Sequence, residues 1–253
     1  MEPVFSGVGV ALVTLFDDDG RVDVPGTADL AGRLAETGLD AFVVGGSTGE
    51  AYALEEEERR TLLVAVRDVL PDGVALLAGT GAPSARQAIA LTRTAAEVGA
   101  TAALVLSPIR RAAPRPYYDA VAKGAPDLPL LAYHFPGMTP PGISMAHLRD
   151  LPVVGLKDST GDPNRLSEEL TTYDGHTYVG SSALVHTAGA LGAPGVILAL
   201  ANAEPEDCIA AFRGDAEAQL RLAGPHASLP PFPQGVKALT AARWGVSAAT
   251  RMG

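Results

Sequence analysis

The feature that most constrains this chain is a repeated alternation: a short, almost uninterrupted apolar run closed by turn residues, then a segment of helical pattern. The runs are Val8–Leu15, Ala41–Val44, Val74–Ala78, Ala102–Leu106, Leu130–His134, Val153–Lys157, Thr177–Gly180 and Gly195–Leu200. Hydrophobicity without polar alternation marks strands covered on both faces, as parallel strands are when helices wrap them. Between the runs, Glu55–Leu70 opens on four acidic residues, which a helix N-terminus favours, and sets Leu63, Val66 and Leu70 on one face. Ser84 is a predicted N-cap for 84–98, and Gly99 stands where a C′ glycine belongs. Eight such alternations predict an α/β chain folded as a (β/α)8 TIM barrel, a fold of about 250 residues; this chain has 253. A doubly wound sheet would want a glycine-rich dinucleotide turn after the first run, but 15–19 read LFDDD and no GxGxxG follows any run. The proline-rich Leu229–Pro233 follows the eighth run and is read as joining terminal helices. One domain over 1–253 is therefore expected, with about 204–253 forming those helices.

Charge and composition exclude several kinds of partner. Asp plus Glu outnumber Lys plus Arg by 29 to 19, a net −10, so a phosphate backbone would be repelled and no nucleic-acid partner is expected. The single cysteine, Cys208, can form neither an internal disulfide nor a thiolate metal cluster. Glu2 and Asp17–Asp19 occupy the region where a signal peptide would carry positive charge, and a cytoplasmic location is expected. The apolar stretch 188–203 is broken by Gly189, Gly192, Pro194 and Gly195, so no membrane span is expected either. Five scattered histidines form no HxH or HExxH pair, so no metal site is predicted, and a Ser-His-Asp hydrolase is not expected either.

In such a barrel catalytic groups lie at the carboxyl ends of the strands. After the second run comes Gly45-Gly46-Ser47-Thr48-Gly49-Glu50, whose free backbone N–H groups and paired hydroxyls suit a carboxylate, although the same residues also make a plain turn. Gly79-Thr80-Gly81 repeats the theme more weakly. Tyr133 ends the fifth run as a proton donor or acceptor, or as a packing residue with a satisfied hydroxyl; His134, one position on, is expected to face the helices. Lys157 ends the sixth run. A lysine finishing an apolar run is partly desolvated, and its free amine can add to a carbonyl as a Schiff base, an electron sink for carbon–carbon chemistry without metal or cofactor. The competing reading is a lysine that snorkels to solvent.

In this order, GGSTGE at 45–50, YHFP at 133–136 and GLKDSTGD at 155–162 resemble the dihydrodipicolinate synthase / N-acetylneuraminate lyase family of pyruvate-dependent class I aldolases. The opening GVGVALVTLFDDDGRVD, LLAGTGAPSARQAIALTRTAAEVGA at 76–100 and GAPGVILALAN at 192–202 extend the resemblance over nearly the whole chain. It implies a Schiff-base lyase acting on pyruvate or another 2-keto acid without added cofactor. Lys157 would carry the imine, Tyr133 would shuttle protons, and Ser47 and Thr48, with Gly46 in the same turn, would hold the keto-acid carboxylate. It also implies that the Ile197 carbonyl approaches the lysine, and that the protein assembles as a homo-oligomer, a dimer or a tetramer.

Two departures bear on substrate. Ser107-Pro108-Ile109-Arg110 places Arg110 where the synthase has a tyrosine completing a proton relay across a subunit interface, and Tyr117 and Tyr118 belong to the following helix instead. Pro136-Gly137-Met138 places Met138 where the synthase has an arginine for the carboxylate of aspartate semialdehyde. Val236–Trp244 matches a family helix, with little beyond it, which implies a shortened C-terminal extension. An aldolase with an unassigned aldehyde is the leading expectation. Its alternatives are a true dihydrodipicolinate synthase, a non-catalytic keto-acid-binding barrel and, on the glycine loops, an isomerase of a phosphorylated substrate.

Overall fold

The computed structural model describes residues 2–110 and 113–252. Eight parallel strands close into a barrel in sequence order: β1 (Gly7–Ala11), β2 (Ala41–Val44), β3 (Ala75–Gly79), β4 (Ala102–Leu106), β5 (Leu130–His134), β6 (Gly155–Asp158), β7 (His176–Val179) and β8 (Gly195–Leu198), with β8 paired back onto β1. The helices that return the chain are α1 (Val24–Ala35), α2 (Glu56–Val69), α3 (Ala85–Val98), α4 (Arg115–Gly124), α5 (Met145–Leu148), α6 (Pro163–Thr172), α7 (Val185–Ala190) and α8 (Pro205–Phe212). After them come α9 (Ala216–Arg221), α10 (Ala223–Ala227) and α11 (Gln234–Trp244). The α/β TIM barrel expected from the eight runs is the fold observed, with terminal helices following it.

Local signals account for the helix ends. Ser84 accepts from the Gln87 N–H as the N-cap of α3, and Gly99 closes that helix at φ 81°. The Glu58 carboxylate accepts from Glu55 N at 2.9 Å at the start of α2. The first apolar run departs from expectation, because β1 covers only Val8–Ala11 of Val8–Leu15. Leu12 N still donates to Val43 O of β2 at 3.0 Å, but beyond it two N–H groups go to side chains: Val13 N donates to Asn202 Oδ1 at 3.0 Å, and Leu15 N to Thr27 Oγ1 at 3.0 Å. Leu12, Val13, Leu15 and Phe16 are apolar because they are buried, although they lie outside the eight barrel strands.

Two cores result. The larger lies between the strands and the helices, and a smaller one fills the barrel with Ala11, Ala41, Leu77, Leu104, Leu131, Tyr178 and neighbours. Tyr178 and Phe5 stack at 4.6 Å between ring centres, and the Tyr178 hydroxyl donates to Phe5 O at 2.9 Å. His134 points outward, as strand alternation predicts, and its Nδ1 accepts from Ile143 N at 2.8 Å. Among the described residues no helix is long and apolar enough to cross a membrane.

The carboxyl rim is built on close backbone contact. A Cβ on Gly79 would run into the carbonyl of Gly45, and both partners are backbone. Gly32, inside α1, faces open space. Gly79→Ala should therefore destabilise by about 1–3 kcal/mol, and Gly32→Ala should stabilise by roughly 0.5–1 kcal/mol through helix propensity. Urea midpoints of the two variants check the pair; a neutral Gly79→Ala would mean that the rim yields more than the contact implies.

Candidate active site

Strand register assembles the site. Tyr133 of β5 is paired with Lys157 of β6, which is paired with Tyr178 of β7. Both Tyr133 and Lys157 are only 4% exposed, so the lysine does not snorkel to solvent. Its Nζ lies 4.5 Å from the centre of the Tyr133 ring. Gly180, just past β7, is required by the end of β6: a Cβ there would run into Ser159 Oγ and meet the Asp158 carbonyl at 2.9 Å, with Lys157 Cε next at 3.1 Å. The Tyr133 hydroxyl lies 3.2 Å from Ser47 Oγ and 3.4 Å from Ser159 Oγ. A phenol between two hydroxyls and beside an amine can both give and take a proton.

These groups open into a cavity of about 380 Å³, large enough for a small organic molecule. Ser47, Thr48, Tyr133 and Lys157 all line it. Gly46 and Ile197 do not. Gly46 shapes the turn, its carbonyl accepting from Ala51 N at 3.1 Å, and Ile197 is buried in the inner core while Ala199 reaches the cavity wall. Sequence reasoning missed the far wall, made by Ser159, Thr160, Ser181 and Ser182 from the loops after β6 and β7 and by His226 of α10. His226 Nδ1 and Ser182 Oγ are 2.7 Å apart. The first two of these belong to the GLKDSTGD motif; no local signal marks His226, which arrives through the packing of a late helix. Leu229 and Phe232 also line the cavity, which corrects the reading of 229–233 as a mere connection between terminal helices.

The two departures fall outside this cavity. Arg110 is exposed, with φ 57° and its N–H on Pro140 O at 2.7 Å. Met138 lines a second, apolar hollow of about 290 Å³ with Tyr52, Leu106 and Ile109. The Tyr117 and Tyr118 hydroxyls serve Ala82 O and Val105 O from α4, so neither tyrosine fills the gap left by the relay residue. Among the described residues no cluster of three His, Cys, Asp or Glu could hold a metal ion.

Behind Lys157 lies a buried ionic cluster. Asp158 Oδ1 accepts from Thr160 N at 2.6 Å and from Thr160 Oγ1 at 2.5 Å, shaping the loop that forms one cavity wall. Arg165 Nε sits 2.6 Å from Asp158 Oδ2 and 2.8 Å from Glu169 Oε1, and Arg165 also donates to Ile143 O. Glu169 Oε2 has no hydrogen-bond partner among the described residues. Burial, with Asp158 adding to it, pushes the Glu169 carboxyl up to about 9 despite Arg165. Burial, reinforced by Arg165, pulls His134 down to about 4.

Comparison with known proteins supplies the context for this geometry. The model of the dihydrodipicolinate synthetase family matches residues 4–228. A 4-hydroxy-tetrahydrodipicolinate synthase of Parasynechococcus marenigrum (strain WH8102) is 36% identical over 254 aligned residues, covering 93% of this chain and 82% of its own. Among solved structures, a prophage protein of the dihydrodipicolinic acid synthase family from E. coli K12, in complex with pyruvate, superposes with a TM-score of 0.89 at 26% identity, covering 98% of this chain and 92% of its own. Dihydrodipicolinate synthase from Aquifex aeolicus superposes with a TM-score of 0.88 at 29% identity, covering 98% and 91%.

The ionic cluster sets a pH dependence of stability. Glu169 has a folded pKa above its ordinary 4.5, so the folded state holds the extra proton; the stability this contributes is complete below about 4.5 and is lost as pH rises through about 9. His134 has the opposite sign, its folded pKa lying below the ordinary 6.5, so its effect is confined to the range from about 4 to 6.5. Between pH 6.5 and 9 stability should therefore fall with a slope of at most about 1.4 kcal/mol per pH unit, the limit for one proton. Glu169→Gln, which keeps the neutral form, should flatten that slope in urea titrations. An unchanged slope would assign the titration to another group.

Proposed function

The chain belongs to the dihydrodipicolinate synthetase family of lyases, and we propose that it is a cofactor-free class I aldolase that forms an imine between Lys157 and pyruvate or another 2-keto acid. One observation carries the reading. A buried lysine amine stands over a tyrosine whose hydroxyl reaches the Ser47–Thr48 turn, all opening into one cavity at the carboxyl rim.

The chemistry proceeds from this chain's own groups. Ser47 and Thr48 receive the keto-acid carboxylate beside Lys157, which brings the keto carbon to the amine and makes attack effectively intramolecular. The amine adds to that carbon; Tyr133 passes protons so that the carbinolamine oxygen leaves as water and the iminium forms. Loss of a proton from the neighbouring carbon gives an enamine, which adds to the carbonyl carbon of an aldehyde. Cleavage is the reverse. Hydrolysis then frees the amine, so no electrons are gained or lost and no other cofactor enters.

The aldehyde is not aspartate semialdehyde in this reading. Among the described residues the cavity wall holds no arginine, and Met138 lies in the separate apolar hollow. A charged hydrogen bond to a second carboxylate contributes roughly 1.5–3 kcal/mol, which methionine cannot supply. The hydroxyl-rich wall of Ser159, Thr160, Ser181 and Ser182 suits a neutral, hydrogen-bonding aldehyde instead. The second reading, condensation of pyruvate with aspartate semialdehyde, is favoured by the names of the relatives. A homo-oligomer belongs to the proposal as well, supported by the exposed Tyr52 and Ile109 at the edge of the apolar hollow.

The test uses the scarcity of lysine, since the chain has only Lys123, Lys157 and Lys237. Borohydride with pyruvate should add one reduced adduct, mapped to Lys157 by mass spectrometry and absent in Lys157→Ala. Tyr133→Phe should slow trapping by about 10²–10⁴-fold, the usual scale of a lost proton-transfer group. Adducts on Lys123 or Lys237 would sink the assignment. Condensation with aspartate semialdehyde should be weak or absent; turnover of the order of 1–10³ per second would replace this reading with the synthase.

A further inference from the structure

Glu50 follows the Ser47–Thr48 pair by two residues and is fully buried with φ 56°. A left-handed backbone at a residue other than glycine is uncommon and persists where its surroundings over-determine it. Here the carboxylate is what the surroundings hold. Oε1 pairs with Lys237 Nζ of α11, while Oε2 accepts from Arg251 N at 2.8 Å and Met252 N at 2.9 Å. All three partners come from residues 237–252, some two hundred positions away in the chain.

That late segment is itself anchored. Lys237 Nζ donates to Ala249 O at 2.8 Å, tying α11 to the strap that follows it. The Arg251 guanidinium makes two bonds of 2.7 Å to the Glu58 carboxylate and one of 2.9 Å to Ala53 O, the paired geometry in which arginine binds carboxylate strongly. Both cations stack on Phe16, at 4.2 and 4.8 Å from its ring centre. On its other side the same turn is pinned by Thr14 Oγ1, which donates to Gly49 O at 2.8 Å, where a Cβ on Gly49 would meet Leu12 O at 2.9 Å. Packing alone would be served as well by apolar residues, and a buried ion pair is poor evidence for stability; fixing one geometry is the use it is suited to.

We infer that the strap around Arg251, acting through Lys237 and Glu50, is a positioning device for the Ser47–Thr48 turn, so that residues near 251 set the affinity for the keto-acid carboxylate. The inference rests on the reading of Lys157 and that turn as a keto-acid site. None of these residues lines the cavity, so their effect is on placement of the two hydroxyls and not on the chemical step.

The experiment compares wild type, Arg251→Ala and Arg251→Lys by the pyruvate dependence of borohydride trapping at Lys157, together with hydrogen exchange of residues 45–51. In Arg251→Ala the half-saturating pyruvate concentration should rise about 10-fold, within the range a misplacement of about 1 Å produces. Trapping at saturation should stay near the wild-type level, exchange of 45–51 should quicken, and Arg251→Lys should recover part of the affinity. A lower melting temperature with unchanged half-saturation and unchanged exchange at 45–51 would make the strap a stabiliser only and overturn the inference, while leaving the imine reading intact. A wild type that traps no keto acid overturns both. If Arg251→Ala does not fold, Glu58→Gln weakens the same anchor and carries the same expectation, and an unchanged half-saturation in it is equally decisive.

Discussion

Closure of the barrel through the β1–β8 ladder is the constraint on which the rest depends. An open sheet would leave β1 and β8 as unpaired edges and spread the strand ends along a line. Closed, the sheet has no edge, and its eight carboxyl ends form one rim. Closure also demands an interior of limited volume, met by small residues such as Ala41, Ala75 and Ala102 beside the large Phe5 and Tyr178. The same geometry brings Tyr133 and Lys157 into register on adjacent strands and carries Ser47 to the Tyr133 hydroxyl from 86 residues away.

Desolvation organises the neighbourhood of that rim in two opposite ways. On the inner side, Lys157 is held over the Tyr133 ring, with no carboxylate among the described residues lining its cavity. On the outer side, the next residue, Asp158, enters an ionic cluster in which one guanidinium serves two carboxyl groups. Strand alternation separates the two: consecutive residues face opposite sides of the sheet, so Lys157 and the carboxylate that shapes the loop after it sit one position apart without pairing. The Asp158–Thr160 bonds hold the loop over the cavity from behind.

The late helices extend this logic beyond the barrel. They and the segment between α10 and α11 bring His226 and Phe232 to the cavity wall, and the first turn of α11 and the strap after that helix reach Glu50, two residues past the Ser47–Thr48 pair. A region read from the sequence as terminal helices and their connection therefore reaches both the cavity wall and the buried Glu50. Lys237 illustrates the difference between sequence and structure well. One of three lysines, it looks like an ordinary helix residue, yet it is wholly buried against a buried carboxylate.

What the sequence determined by itself is what depends on near neighbours in the chain. Continuous apolar runs specify strands covered on both faces, Ser84 and Gly99 delimit a helix, and the Gly-rich turn, the strand-end tyrosine and the strand-end lysine are recognisable where they stand. Alternation along one strand was enough to send His134 outward. What only the tertiary structure decided depends on distance in space: that Val13 and Leu15 leave the ladder because Asn202 and Thr27 take their N–H groups, that Gly46 and Ile197 stay off the cavity wall while Ser182 and His226 join it, and that Arg110 and Met138 lie outside it. The physical reason is the same throughout. Hydrophobic period and capping are short-range and written in adjacent residues, whereas hydrogen-bond satisfaction, burial and cavity shape are set by groups that meet only when the barrel closes.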